Sequence, residues 1–273
     1  MKKEDKRLFN KICKDIKSIK IQGARNIAKA AFRAYSSFPS KSSINKLKSL
    51  RPTEPMLINI LNHVDSLSYK DILTHLNKTQ EIINKEVFKL IKKDYVIFTH
   101  CHSTSVVQSL INAKKKGKKF EVYNLETRPL YQGRKTAKEL RKAGIKVTMF
   151  VDSAASVALS KEQDTKKADL VFLGADAILK KGVINKIGSE MFSQIAKSQK
   201  IPVYILADSW KYFPNNIKIE ERDFKEIWNN KKIKIKNPAF ELIKRKYITK
   251  IISEFGNLSY RIFLKKVKKR KFT

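Results

Sequence analysis

Apolar residues recur at helical spacing from Lys3 to about Lys93: Leu8, Ile12, Ile16 and Ile19, then Ile27, Ala30, Ala31 and Ala34, then Leu57, Ile60, Leu61 and Val64. This half is expected to be all-helical, a run of several short helices. Gly23, the SFPSKSS stretch around Pro39 and Arg51-Pro52-Thr53 punctuate it, and Pro52 disfavours a helical backbone at Arg51. After about Asp94 the pattern changes to short, nearly continuous apolar runs: YVIFT, FEVYNL, IKVTMFV, ADLVFLG and IPVYIL. Amphipathic stretches such as KTAKELRKA and EMFSQIAKS separate them. Strands without polar alternation, separated by helices, predict a parallel sheet covered on both faces. The expected architecture is α/β: a helical N-terminal domain over residues 1–93, then a doubly wound, Rossmann-like parallel-sheet domain over residues 94–273. KIKI near residue 233 and ITKIIS near residue 248 are candidates for further strands.

A chain of 273 residues, 42% of them hydrophobic, has enough apolar material for a full core, which excludes a disordered tail protein. No window is apolar enough for a membrane span, and the N-terminus is charged where a signal peptide is apolar, so a cytoplasmic location without membrane partners is expected. Cys13 and Cys101 are too few for a disulfide framework or a four-cysteine zinc site. The net charge of +35 points to polyanions or phosphorylated metabolites. Lysines occur in every segment, however, so a lysine-rich surface is a better reading than a specific nucleic-acid patch. The basic end LKKVKKRKFT is either frayed or in contact with an anion.

Ligands of open α/β sheets bind at the carboxyl ends of the strands. There the chain places Thr99-His100-Cys101-His102, Glu126-Thr127-Arg128, Asp152-Ser153, Gly174-Ala175-Asp176 and Asp208-Ser209. Strand-end oxygens often only cap the helix that follows, and for Asp152 and Ser153 that reading stands level with a role at the site. Cys101 lies between two histidines and before a helix start, a setting that would lower its thiol pKa; buried cysteine is otherwise a small hydrophobe. His100 and His102 lack a carboxylate partner, so no metal is assigned. One predicted loop, TRPLYQGRK, offers Arg128, Gln132, Arg134 and Lys135 to phosphate oxygens, with solvated surface cations as the bland alternative. Asn185 and Lys186 precede Gly188 and a helix start, another place for a phosphate. Neither a GxGxxG after the first strand nor a GxxxxGK[ST] is present, which disfavours dinucleotide oxidoreductases and P-loop ATPases.

The ordered series IKIQGARNIAKAA, LRPTEPML, IFTHCHSTSVV, VYNLETRPLYQGRKTAKEL, LVFLGADAIL, GVINKIGS, PVYILADSWKYFP and NPAFE covers nearly the whole chain. It resembles the superfamily of ribose-1,5-bisphosphate isomerase, 5-methylthioribose-1-phosphate isomerase and the regulatory subunits of translation initiation factor 2B. Cys101 and Asp176 match the cysteine and aspartate of the isomerases. The short N-terminal half and THCHS are more similar to the ribose-1,5-bisphosphate enzyme. The resemblance implies an aldose-ketose isomerase that makes ribulose 1,5-bisphosphate in AMP salvage without cofactor or metal, Cys101 acting at the carbon centre and Asp176 at ring or carbonyl oxygens. It further implies substrate contacts from Gly23, Ala24, Arg25, Arg51, Arg128, Gln132, Asn185, Lys186 and Lys211, a phosphorylated pentose as partner, a homodimer or homohexamer, and room for a nucleotide effector. The family's first motif usually has arginine before Gly-Ala; here that position is Gln22, leaving Arg25 or Lys20 to compensate. The alternatives are a regulatory subunit without catalysis, methylthioribose-1-phosphate isomerase, and charge-driven RNA binding.

Overall fold

The computed structural model describes residues 3–270. Its first part is helical: α1 (Lys3–Lys17), α2 (Ala24–Ser37), α3 (Lys41–Leu50), α4 (Pro55–Leu61) and α5 (Tyr69–Leu90). Helix α3 stops before Arg51, whose backbone leaves the helical region ahead of Pro52. The last of the five is not short: α5 runs for 22 residues. A capping box starts it, with Asp71 N–H donating to Ser68 Oγ at 3.1 Å and Ser68 N–H donating to Asp71 Oδ2 at 2.8 Å.

The second part continues as β1 (Tyr95–Thr99), α6 (Thr104–Lys115), β2 (Phe120–Leu125), α7 (Gln132–Lys142), β3 (Lys146–Phe150), α8 (Ala155–Leu159) and β4 (Leu170–Leu173). Next come β5 (Ala177–Ile178), β6 (Gly182–Lys186), α9 (Ser189–Ser198), β7 (Val203–Leu206), β8 (Phe240–Lys244), β9 (Lys250–Ser253), β10 (Gly256–Leu258) and α10 (Tyr260–Lys268). The expected α/β class and parallel central sheet are present: seven strands in the order β10-β9-β7-β4-β1-β2-β3, all parallel except β10. Side chains alternate across it. Val96, Phe98, Val171, Leu173, Val203, Ile205 and Ile251 meet α8, α9 and α10 on one face. Ile97, Val122, Leu170, Phe172, Leu206 and Ile252 meet α5, α6 and α7 on the other, so α5 serves as a covering helix of the sheet.

The two candidate strands have different outcomes. KIKI forms no strand: Ile233 is 51% exposed and has no apolar surface to cover, whereas Phe240–Lys244 downstream is paired. ITKIIS is β9, an inner strand between β7 and β10. The sequence reading lacked the small antiparallel sheet β5-β6-β8; Asn185 and Lys186 end β6 and, as expected, precede Gly188 and the start of α9. Much of the basic C-terminal stretch is ordered in α10, whose Phe263 and Val267 are buried; its last three residues, 271–273, lie outside the described residues. No helix among the described residues is long and apolar enough to cross a membrane.

Helices α1 to α4 pack on one another through Phe9, Ile16, Ile27, Leu47 and Leu57. A second cluster, Ala28, Phe32, Met56, Ile60, Ile72 and Leu76, closes around Trp210 in the 3-10 turn after β7. Asn59 Nδ2 donates to the carbonyls of Trp210 and Tyr212 at 2.8 and 3.0 Å. These contacts seat the helical layer over the carboxyl ends of the strands, where β1 and β4 leave in opposite directions.

Candidate active site

A cavity of about 150 Å³ opens at that switch point. The chain after β1 delivers Cys101, the chain after β4 delivers Asp176, β6 supplies Asn185 and Lys186, and the turn after β7 supplies Lys211. From the helical layer come Gly23, Ala24 and Arg25 at the N-terminus of α2 and Arg51 at the end of α3, while Gln132 begins α7. Ten of the eleven residues expected at the site therefore line one cavity. The exception is Arg128, exposed on the far side of its turn with its guanidinium 5.0 Å from the Tyr131 ring centre and hydrogen-bonded to the Tyr131 hydroxyl. TRPLYQGRK is not one loop, because Gln132, Arg134 and Lys135 already belong to α7.

Cys101 adopts a left-handed backbone, φ 64°, a conformation that β-carbon crowding makes uncommon outside glycine. Two hydrogen bonds hold it there. Its N–H donates to Thr127 Oγ1 and its carbonyl accepts from Thr136 Oγ1, both at 2.9 Å. Thr127 is itself fixed by Asp152, which accepts N–H bonds from Thr127 at 2.9 Å and Arg128 at 2.6 Å. Asp152 thus fixes the turn after β2 and does not cap the helical turn that follows it.

The histidines beside Cys101 do not activate it. His100 Nε2 lies 3.0 Å from the Ile187 carbonyl, which can only accept, so Nε2 carries the proton; Nδ1 lies 3.2 Å from Thr127 Oγ1. Burial pushes this imidazole down to about 4, which keeps it neutral. The His102 ring is engaged by Thr136 Oγ1 at 3.0 Å. Contrary to the expectation of a lowered thiol pKa, burial pushes Cys101 up to about 11, with Lys186 and the His102 backbone N–H pulling the other way. Desolvation of the thiolate outweighs the favourable field at the helix start.

Asp176 is pushed above the usual carboxylate range by burial, against the pull of Lys211, Lys186 and Arg51. Its N–H donates to the Ile184 carbonyl at 2.8 Å, and Lys211 Nζ donates to the carbonyl of Ala175, tying the aspartate to both β6 and the turn after β7. Burial in turn lowers Lys211, opposed first by Asp176 and then by Glu54. Lys186 lies 5.0 Å from the Phe240 ring centre, and Asn185 Nδ2 donates to Ser189 Oγ at 2.9 Å. The cavity thus combines two proton-carrying groups of raised pKa with buried cations.

Gly174 permits the close approach of the two strand ends. A β-carbon there would lie 2.6 Å from Ser103 Oγ and 2.8 Å from Ser103 Cβ. Gln22 lines the cavity where the family usually has arginine; Arg25 also lines it, but Lys20 does not. Reading by sequence missed Glu54, Glu220 and Arg222, which line the same cavity. Glu54 stood inside the quoted LRPTEPML run, though nothing local marks it as turned inward. Arg51 bridges Glu54 at 3.6 Å and Glu220 at 3.4 Å.

Outside the cavity, His75, Asp208 and Glu254 have metal-like spacing. His75 Nε2 already lies 3.0 Å from both Asp208 oxygens, Arg270 lies 3.0 Å from Glu254, and Arg25 acts electrostatically on Asp208. The cluster is a charge-balanced joint between α5, the turn after β7 and the C-terminal residues.

The family model described as the Initiation factor 2 subunit family matches residues 19–260. The ribose 1,5-bisphosphate isomerase of Archaeoglobus fulgidus is 33% identical, over 88% of this chain and 86% of that protein. The ribose 1,5-bisphosphate isomerase of Methanocaldococcus jannaschii is 34% identical, over 88% of each. Among solved structures, a Pyrococcus horikoshii protein described as translation initiation factor eIF-2B superposes with a TM-score of 0.82 at 23% identity, covering 95% of this chain and 98% of that one.

Proposed function

Because this chain belongs to the Initiation factor 2 subunit family, we propose that it is an aldose-ketose isomerase converting ribose 1,5-bisphosphate to ribulose 1,5-bisphosphate. The observation that carries this reading is the opening of Cys101 and Asp176 into one cavity among Arg51, Lys186 and Lys211. The likeness to the Pyrococcus horikoshii protein concerns the fold alone and does not separate an enzyme from a regulator. A regulatory subunit has no use for a thiol and a carboxyl facing the same cavity, whereas an isomerase requires such a pair.

The reaction needs four proton movements. As the C1–O4 bond of the ring breaks and its electron pair goes to O4, that oxygen takes a proton; C2 then loses one, forming an enol phosphate. Subsequently the O2 hydroxyl loses a proton as the ketone forms, and C1 gains one. Cys101 serves the carbons, accepting the C2 proton as thiolate and returning it to C1. Asp176 serves the oxygens, donating to O4 and accepting from O2. The thiolate and carboxylic acid that start this cycle differ from thiol and carboxylate by an internal proton transfer, which the raised proton affinity of Asp176 favours and the burial of Cys101 opposes, with Lys186 offsetting part of the cost of the thiolate. Buried Lys186, Lys211 and Arg51 offset the charge of the enolate and phosphates, and the free N–H groups at the start of α2 suit a phosphate. We place the reaction in AMP salvage, in the cytoplasm and on a homo-oligomer.

Phosphorus NMR of the purified chain with ribose 1,5-bisphosphate tests the proposal. Ribulose 1,5-bisphosphate should form, and Cys101→Ser and Asp176→Asn should each lower the rate by roughly 10²- to 10⁴-fold. An unchanged substrate would refute this assignment; methylthioribose 1-phosphate is then the next substrate to offer, and silence on both supports a regulator.

A further inference from the structure

Glu54 occupies the N-cap position of α4, yet its side chain caps nothing. It turns instead into the cavity, where it is 2% exposed. One carboxyl oxygen lies 3.6 Å from Arg51, and the other is buried without a hydrogen-bond partner. The same arginine is shared with Glu220, which also meets Arg222 at 3.3 Å. The charged groups facing Glu54 are Arg51 from its own segment, Asp176 after β4, Lys211 after β7, and Glu220. A buried carboxyl and a half-buried one that line the same small cavity do not both ionise without a desolvation and repulsion cost, and the unpaired buried oxygen of Glu54 adds to it. A shared proton relieves both.

We propose that Glu54 is a third proton-carrying residue of this site, lining one cavity with Asp176 so that the two carboxyls together carry one proton and meet the substrate as one acid and one carboxylate. The inference rests on the isomerase reading for its role, but the pairing itself does not. In the reaction, the pair's proton passes to O4 as the C1–O4 bond breaks, and the pair recovers one from the O2 hydroxyl when the ketone forms, so no external acid is consumed. Between those steps both carboxyls are anionic, with Arg51 and Lys211 beside them. Burial, and next the charge of Asp176, push Glu54 up to about 8, in line with this arrangement.

The test uses the full chain in two independent measurements. The first is a titration of 13C-carboxyl-labelled protein by NMR, without substrate, with Glu54→Gln identifying the resonance. The second is the pH profile of kcat on ribose 1,5-bisphosphate for the parent, Glu54→Gln and Glu54→Asp, with melting curves to confirm folding. The Glu54 signal should titrate near pH 8, and parent kcat should fall about tenfold per pH unit above that point. Glu54→Gln should lower kcat roughly 10- to 100-fold and move the alkaline limb to lower pH, because Asp176 loses its like-charged neighbour; Glu54→Asp should keep the limb. A Glu54 carboxyl titrating in the ordinary range, or a Glu54→Gln profile superimposing on the parent, overturns the proposal. If Glu54 titrates near pH 8 in a protein that turns over no sugar phosphate, the carboxyl pair stands and the isomerase reading falls.

Discussion

Gly174→Ala probes how closely the two working strand ends must approach. The added methyl would sit 2.6 Å from Ser103 Oγ and 2.8 Å from Ser103 Cβ, whereas ordinary contact begins near 3.4 Å. The chain after β1 and the chain after β4 must therefore separate by about 0.8 Å, unless Ser103 rotates, and rotation removes only the hydroxyl clash because Cβ is fixed to the backbone. Overpacking of this kind costs about 1–3 kcal/mol, or roughly 2–8 °C in melting temperature for a chain of this size. Since Cys101 and Asp176 lie on the two segments being pushed apart, the larger effect should fall on catalysis: a displacement near 1 Å costs about 10²-fold in rate. The assay is steady-state turnover of ribose 1,5-bisphosphate beside thermal melting. Adding Ser103→Gly deletes both clashing atoms and should restore at least a tenth of the parent rate. A Gly174→Ala enzyme within threefold of the parent, or a double variant no better than the single one, would refute the idea that this contact sets the distance between the proton-carrying groups.

Two further outcomes follow from charge placement. His100 is held neutral with its pKa lowered to about 4, against about 6.5 in the unfolded chain, so between those values the unfolded state binds the extra proton and stability falls as the pH falls. The loss from pH 6.5 to 4 is on the order of 3 kcal/mol, and urea melts across that range should show a shallower fall in His100→Gln; equal slopes would contradict the assignment. Arg128→Ala should change kcat/KM less than threefold because its side chain lies outside the cavity, whereas Lys186→Ala, which removes a buried cation from it, should raise KM or lower kcat by more than tenfold. A larger effect at Arg128 would mean that the turn around Tyr131 rearranges when substrate binds.

The sequence determined the layers of this protein, because hydrophobic periodicity is a local property: helical spacing up to residue 90 and continuous apolar runs from Tyr95 are written in neighbouring residues. The motif order pointed to Cys101 and Asp176, and the rule of strand ends placed both at the carboxyl edge of the sheet, where they open into one cavity. Tertiary structure alone decided the rest. Short strands such as β5 and β6 form only because Phe240–Lys244 returns from more than 50 residues away to complete their sheet. The direction of a side chain at a turn is no more local: Arg128 leaves the cavity through its contact with Tyr131, while Glu54, two residues after a proline, enters it. Proton affinity is the least local quantity. The flanking histidines suggested an acidic thiol at Cys101, but those rings are bound to Ile187, Thr127 and Thr136, and the helical layer closing over the strand ends leaves the half-buried thiol too poorly solvated to favour a thiolate. Burial is a property of the assembled fold, and no stretch of sequence carries it by itself.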